Sequence, residues 1–262
     1  MILGLVDYLG AHCISWCALI GSYILFLARV IKALFSKGLR MREFFFQMYA
    51  IGVESLLIIV LTGLCTGLAL ALQSYIALHR MGVDSLVSLV VGKGMTRELG
   101  PVLTALMIAG RCGSAMAAEI GTMKITEQID ALKTLCIDPY YFILAPRLMA
   151  SILIIPCATL FAMISGIIGG FFLSTQILSI NQAAYITIFQ EQVTMSDIFG
   201  GLLKSTVFGF IIASIGIFQG IRAHGGARGV GLATTNTVVA ASVLILLSNY
   251  ALSLILFQIG IG

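Results

Sequence analysis

The chain has 262 residues, of which 60% are hydrophobic and 10% charged, and its mean hydropathy is +1.08. A soluble domain carries about 25% charged residues and about 45–50% apolar ones. These values exclude a disordered chain, a nucleic-acid binder and a disulfide scaffold, and they leave a polytopic membrane protein. The net charge of +4 is too mild to imply a polyanionic partner, so what matters is where the basic residues fall relative to the spans.

A membrane helix needs about 20 mostly apolar residues. Tyr8 to Ala28 is uncharged and is followed by a basic cluster of Arg29, Lys32, Lys37, Arg40 and Arg42. By hydropathy this first stretch is long enough to span. Its alternative is a helix lying in the interface, with Tyr8, Trp16 and Tyr23 at headgroup level. Further spans are predicted at about 55–78, 94–115, 148–174, 198–221 and 236–259. The second of these is the least tidy. Between Glu98 and Arg111 lie about 12 residues, which cover roughly 18 Å of a hydrocarbon core of about 30 Å. A helix here must carry Arg97 and Glu98, or Arg111, near or into the membrane. Glu54, just before the first of these spans, has no reading of its own.

If the 29–42 cluster is cytoplasmic, eleven of the 15 Lys and Arg residues fall on that side: Arg29, Lys32, Lys37, Arg40, Arg42, Arg111, Lys124, Lys133, Arg147, Arg222 and Arg228. The outer loops hold only Arg80, while Lys93, Arg97 and Lys204 are left at membrane depth or its outer edge. This is a strong positive-inside asymmetry. Glycines at small-xxx-small spacing, Gly63/Gly67, Gly166/Gly170 and Gly216/Gly220, read as close helix packing within the chain or a dimer seam. The six cysteines include no C-x-x-C pair and read as buried reduced thiols.

Enzyme signatures are missing from the sequence. His12, His79 and His224 are dispersed, and there is no H-E-x-x-H, no G-x-S-x-G and no metal-ligand set. No P-loop occurs, so no cofactor is expected in this chain. The glycine-rich run from Gly225 to Gly231 reads as a turn between two spans. The segment Glu119–Leu135 reads as an amphipathic helix, with Ile125, Ile129 and Leu132 on one face and Thr126, Glu127 and Asp130 towards another. Such a helix lies on the lipid surface or docks into a soluble partner.

Several runs resemble a known family. They are Arg97-Glu98-Leu99-Gly100-Pro101, Ala109-Gly110-Arg111-Cys112-Gly113-Ser114-Ala115, Ala118-Glu119-Ile120-Gly121-Thr122-Met123 and Thr126-Glu127-Gln128. With Leu72–Tyr75, Lys204-Ser205 and Ala233–Val239, they resemble the MlaE family of ABC-transporter permeases over essentially the whole chain. The pattern departs at Asn236, where a relative carries Arg. The resemblance implies an all-α membrane permease, a homodimer with five membrane helices per subunit. The 8–28 segment would be an interfacial helix, the N-terminus cytoplasmic and the C-terminus periplasmic, in the bacterial inner membrane. It implies phospholipid transport that maintains outer-membrane lipid asymmetry, with ATP bound by a separate cytoplasmic ATPase. Further implied partners are an MCE-domain periplasmic ring and a STAS-type regulator.

On this resemblance the 119–135 segment is a coupling helix, with Glu119, Met123, Thr126, Glu127 and Asp130 towards the ATPase. Arg97, Glu98 and Lys204 would border the lipid path, with Leu70, Gln73, Leu78 and Met81 as further lining residues. Intramembrane charge is costly and therefore functional by default; the competing reading of the three charges is an internal ion pair that orders the bundle. Two rival functions are an ion-coupled secondary transporter using Glu98 and Lys204, and an intramembrane enzyme.

Overall fold

The computed structural model describes residues 2–37 and 40–260, and for residues 2–13, 15, 16 and 34–37 the backbone alone. The expected headgroup placement of Tyr8 and Trp16 lies outside the described side chains, as do Cys13 and Lys37. In chain order the helices are α1 (Ile2–Lys37), α2 (Met41–His79), α3 (Asp84–Ile125), α4 (Gln128–Thr134), α5 (Tyr140–Ile177), α6 (Gln182–Gln192), α7 (Met195–Ile221) and α8 (Gly226–Ile259). Among the described residues there is no strand. There, α2, α3, α5, α7 and α8 are long and apolar enough to cross a membrane, and the protein is an all-helical, multi-pass membrane protein.

The helices extend beyond the apolar windows that the sequence marks, because amphipathic flanks continue the same backbone. Thus α2 begins at Met41, and α3 runs from Asp84 to Ile125. Arg111 of α3 donates to Glu54 Oε2 at 3.0 Å and to Ser55 Oγ at 2.6 Å, tying α3 to α2. Glu54 thereby acquires a role: it is the counter-charge of Arg111 across the α2–α3 contact.

Close backbone approach sets the core. A Cβ on Gly67 would overlap the carbonyl oxygen of Gly166, so α2 and α5 touch where two glycines face each other. Gly216 and Gly220 do the same for α7 against Gly113 and Ile120 of α3. All three glycine pairs therefore serve packing within one chain, with dispersion contacts in place of a hydrophobic driving force. Described side chains of α1 pack on the basic end of this bundle. Tyr23 Oη lies 2.7 Å from Ser214 Oγ, and Phe26 sits against Tyr140 and Phe218.

Three sequence expectations need correction. The run Gly225–Gly231 is a turn only at its start, since α8 begins at Gly226. The segment 119–135 is not one helix: α3 ends at Ile125, Glu127 takes a left-handed backbone conformation (φ 59°), and α4 starts at Gln128. Thr126 Oγ1 bonds back to the Thr122 carbonyl at 2.8 Å, and the bend turns Ile129 into the core, where it is 5% exposed. Burial of Ile129 outweighs a left-handed cost of roughly 1–2 kcal/mol. Nor are the cysteines generally buried. Cys112 is, but Cys17, Cys65, Cys136 and Cys157 are exposed. An apolar stretch in a membrane chain does not distinguish a core-facing thiol from one on the outer face of a helix.

Candidate functional site

Three helices bring charge together inside the bundle. A π-helical turn, Gly94–Leu99, carries Arg97 and Glu98 on α3. Such a turn inserts an extra residue and rotates the face that follows. Two residues beyond it stands Pro101, which has no N–H for the carbonyl of Arg97 four residues back. Lys204 of α7 reaches that oxygen, with Nζ at 2.9 Å. The same ammonium donates to Glu98 Oε1 at 2.7 Å and to Ser253 Oγ of α8 at 2.8 Å. An ammonium has three N–H donors, and all three are matched. The Lys204 side chain is 3% exposed. It stands about nine residues, roughly 14 Å, along α7 from Met195.

Glu98 is held from the other side. Its Oε2 accepts from Asn249 Nδ2 at 2.8 Å, and Ser253 Oγ lies 2.9 Å from Oε1. Arg97 turns the opposite way, donating from Nε to Asp197 Oδ1 at 2.6 Å and from Nη2 to the same oxygen. Asp197 Oδ2 in turn accepts from the backbone N and the hydroxyl of Thr194, at 2.9 and 3.1 Å, in a capping box that starts α7. A cavity of about 270 Å³ opens here, bounded by Arg97, Glu98, Asp197 and Lys204 with Tyr250 and Phe257. Two cations and two carboxylates balance. Lys204 is saturated, whereas Arg97 keeps its Nη1 without a partner among the described residues and a third of its side chain exposed.

Arg97, Glu98 and Lys204 are thus brought together as expected. Leu70, Gln73, Leu78 and Met81 do not line this cavity. Leu70 and Leu78 pack on the cluster built from Ala71, Val87, Val91 and Met95, while Gln73 and Met81 are exposed. Asp197, Asn249 and Ser253 were missed. Of these only Asp197 had a sequence signal, the Thr194-x-x-Asp197 cap pattern at the start of an apolar run.

At the basic end, Glu119 accepts from Nη2 of the buried Arg147 at 2.8 Å, tying α3 to α5. Met123 lines a cavity of about 430 Å³ together with Leu132, Phe142 and Arg147. Thr126 and Glu127 form the bend and are exposed. Asp130 bridges Lys133 Nζ at 2.7 Å and Lys124 Nζ at 2.9 Å. These two ammonium groups, Lys133 the more, hold its carboxyl at about 2, below the usual value of 3.8. Among the described residues no group of three or more His, Cys, Asp and Glu is placed to hold a metal.

The fold and the buried charges define a class: a multi-pass membrane protein with ion pairs set among its spans, as in proteins that move polar solutes or headgroups through a bundle. The comparisons give the family. The family described as Permease MlaE matches residues 44–255. A probable ABC transporter permease protein of Rickettsia typhi is 40% identical over 259 residues, covering 99% of this chain and all of the relative. One of Synechocystis is 41% identical over 212 residues, covering 81% of each chain. The intermembrane phospholipid transport system permease protein MlaE of Haemophilus influenzae is 37% identical over 215 residues, covering 82% of each. This chain belongs to the MlaE permease family and is an ABC transporter permease.

Proposed function

We propose that this permease moves phospholipids between the inner membrane and a periplasmic MCE-type carrier and so maintains outer-membrane lipid asymmetry. The observation that carries this reading is the polar cavity set among α3, α7 and α8, where Arg97 offers an unengaged guanidinium N–H beside the aromatic Tyr250 and Phe257. A lipid phosphate accepts charge-assisted bonds from such a group, and apolar walls accept its acyl chains. The name of the Haemophilus influenzae relative supports the same cargo. In this reading Arg97 meets the headgroup. The saturated Lys204–Glu98 pair binds α3, α7 and α8 into one unit, and Leu70, Gln73, Leu78 and Met81 flank the path at the end of α2.

The basic end is cytoplasmic by the positive-inside asymmetry, α1 lies in that interface, and the N-terminus is cytoplasmic with the C-terminus periplasmic. The permease works as a homodimer without covalent chemistry of its own. A separate ATPase supplies the energy and contacts Glu119, Met123, Thr126, Glu127 and Asp130 around the α3–α4 bend. A STAS-type regulator completes the assembly.

The test is reconstitution of the chain with its co-purified ATPase in proteoliposomes holding a fluorescent phospholipid. ATP-dependent lipid transfer is expected, and Arg97→Ala is expected to abolish it while ATPase binding persists. Normal transfer by that variant would remove Arg97 from the path. Absence of lipid transfer in the wild-type complex would remove phospholipid as the cargo.

A further inference from the structure

A second lipid-shaped feature lies at the other end of the molecule. Between α1 and the end of α7 is a cavity of about 690 Å³, walled by apolar side chains such as Leu19, Leu25, Phe218 and Ile221. Leu25 is 62% exposed there. Arg29 and Arg222 stand on the rim. A neighbouring cavity of about 290 Å³ shares Arg29 and Tyr140 with the first and adds Lys32. The depth of this pair of cavities follows from the helices that bound them. α5 starts at Tyr140 and α7 ends at Ile221, so the rim sits at headgroup level of the leaflet at the basic end.

The charges are unbalanced here, in contrast to the cavity at Lys204. Arg29 and Lys32 have no ion-pair partner among the described residues. Arg222 makes only a 3.4 Å contact to Ser22 Oγ and lies 5.2 Å over the Phe218 ring. The one carboxylate bordering either cavity is Asp138, whose Oδ1 already accepts from the backbone N of Tyr140 at 3.0 Å. Three cations face one carboxylate beside a greasy trough open to the bilayer. A soluble phosphate would leave the trough unfilled. A zwitterionic lipid would leave the excess positive charge unmet. Basic pockets between helices at a membrane face suit anionic headgroups.

We propose that this groove binds one anionic phospholipid of the surrounding leaflet, its phosphate held by Arg29, Lys32 and Arg222 and an acyl chain laid against Leu25, Phe218 and Ile221. The bound lipid fastens α1 to the bundle. This site is separate from the cavity at Lys204, which lies about 18 residues, roughly 27 Å, away along α7. It stands whether or not phospholipid is the transported cargo.

The test uses the intact complex in phosphatidylcholine nanodiscs, with a photoreactive phosphatidylglycerol bearing a diazirine on one acyl chain. Crosslinks are expected in the peptides covering residues 18–29 and 218–222, and unlabelled phosphatidylglycerol should compete far better than phosphatidylcholine. Losing two cations, in Arg29→Gln with Arg222→Gln, should weaken that competition roughly thirtyfold, while Arg29→Lys with Arg222→Lys should keep most of it. Equal competition by the two lipids in the wild-type complex overturns the proposal without any variant being needed. So does labelling of these peptides that the double Gln variant leaves unchanged, or a groove found occupied by a co-purified protein.

Discussion

The ammonium of Lys204 stands 2.9 Å from the backbone oxygen of Arg97. That oxygen is one that Pro101 leaves without an intrahelical donor four residues on. A helix defect and a buried cation thus satisfy each other across the α3–α7 contact. The same lysine, through Glu98 and Ser253, extends the link to α8. The arrangement makes Lys204 a structural keystone as well as a neighbour of the cavity.

Lys204→Met is expected to leave Glu98 without its cation and the Arg97 carbonyl without its ammonium donor. Removing one partner of a fully buried pair costs about 3–5 kcal/mol, and with Glu98 45% exposed the loss here should fall below that range, whereas neutralising both costs less still. Thermal unfolding in detergent should therefore show a large loss for Lys204→Met and recovery of most of it in Lys204→Met with Glu98→Gln. Two equally unstable variants would mean that the pair is not the source of the effect.

Asp197 does two jobs, capping α7 through Thr194 and orienting Arg97. Asp197→Asn keeps an oxygen for the cap but loses the charge, while Asp197→Ala loses both. The alanine variant should be less stable than the asparagine variant by about 1 kcal/mol, and faster amide exchange at the first turn of α7 should accompany it. Identical exchange in both variants would show that the cap contributes nothing.

Gly67→Ala places a methyl group against the Gly166 backbone, which has no side chain to swing away. Overpacking of this kind costs about 1–3 kcal/mol. Gly21→Ala in α1, where a Cβ meets nothing within 4 Å, should instead be neutral or stabilising by roughly 0.5–1 kcal/mol. The melting temperature should fall for Gly67→Ala and hold or rise for Gly21→Ala.

Asp130 should titrate at about 2 in the folded protein, against the usual 3.8. Its folded-state value is depressed, so its contribution to stability is complete above about pH 4 and disappears as pH falls towards 2. Carboxyl carbon shifts in NMR measure this directly. Lys133→Ala should move the titration upward more than Lys124→Ala, because Lys133 makes the closer contact. A titration near 3.8 in the wild type would show that the two bonds do not persist in solution.

Membrane residence and the helical class were readable from composition, because a chain with so few charges has no other way to satisfy its surface. The five apolar runs were readable for the same reason, and the runs around Arg97, Arg111 and Glu119 pointed to the family. What hydropathy registers is only the apolar part of a helix, so it did not locate the true ends of α2 and α3. Partner choice lay further out of reach. That Glu54 answers Arg111, that Asp197 rather than Glu98 answers Arg97, and that Asn249 and Ser253 complete the site all depend on residues some 50 to 150 positions apart in sequence. The break at Glu127 likewise follows from burying Ile129, a tertiary gain that overrides a continuous helical period. Charge content decided where this protein resides, because desolvation acts on every residue independently of its neighbours. Which charge meets which was decided by the packing of α3, α7 and α8, because ion pairing depends on distances that only the assembled bundle sets.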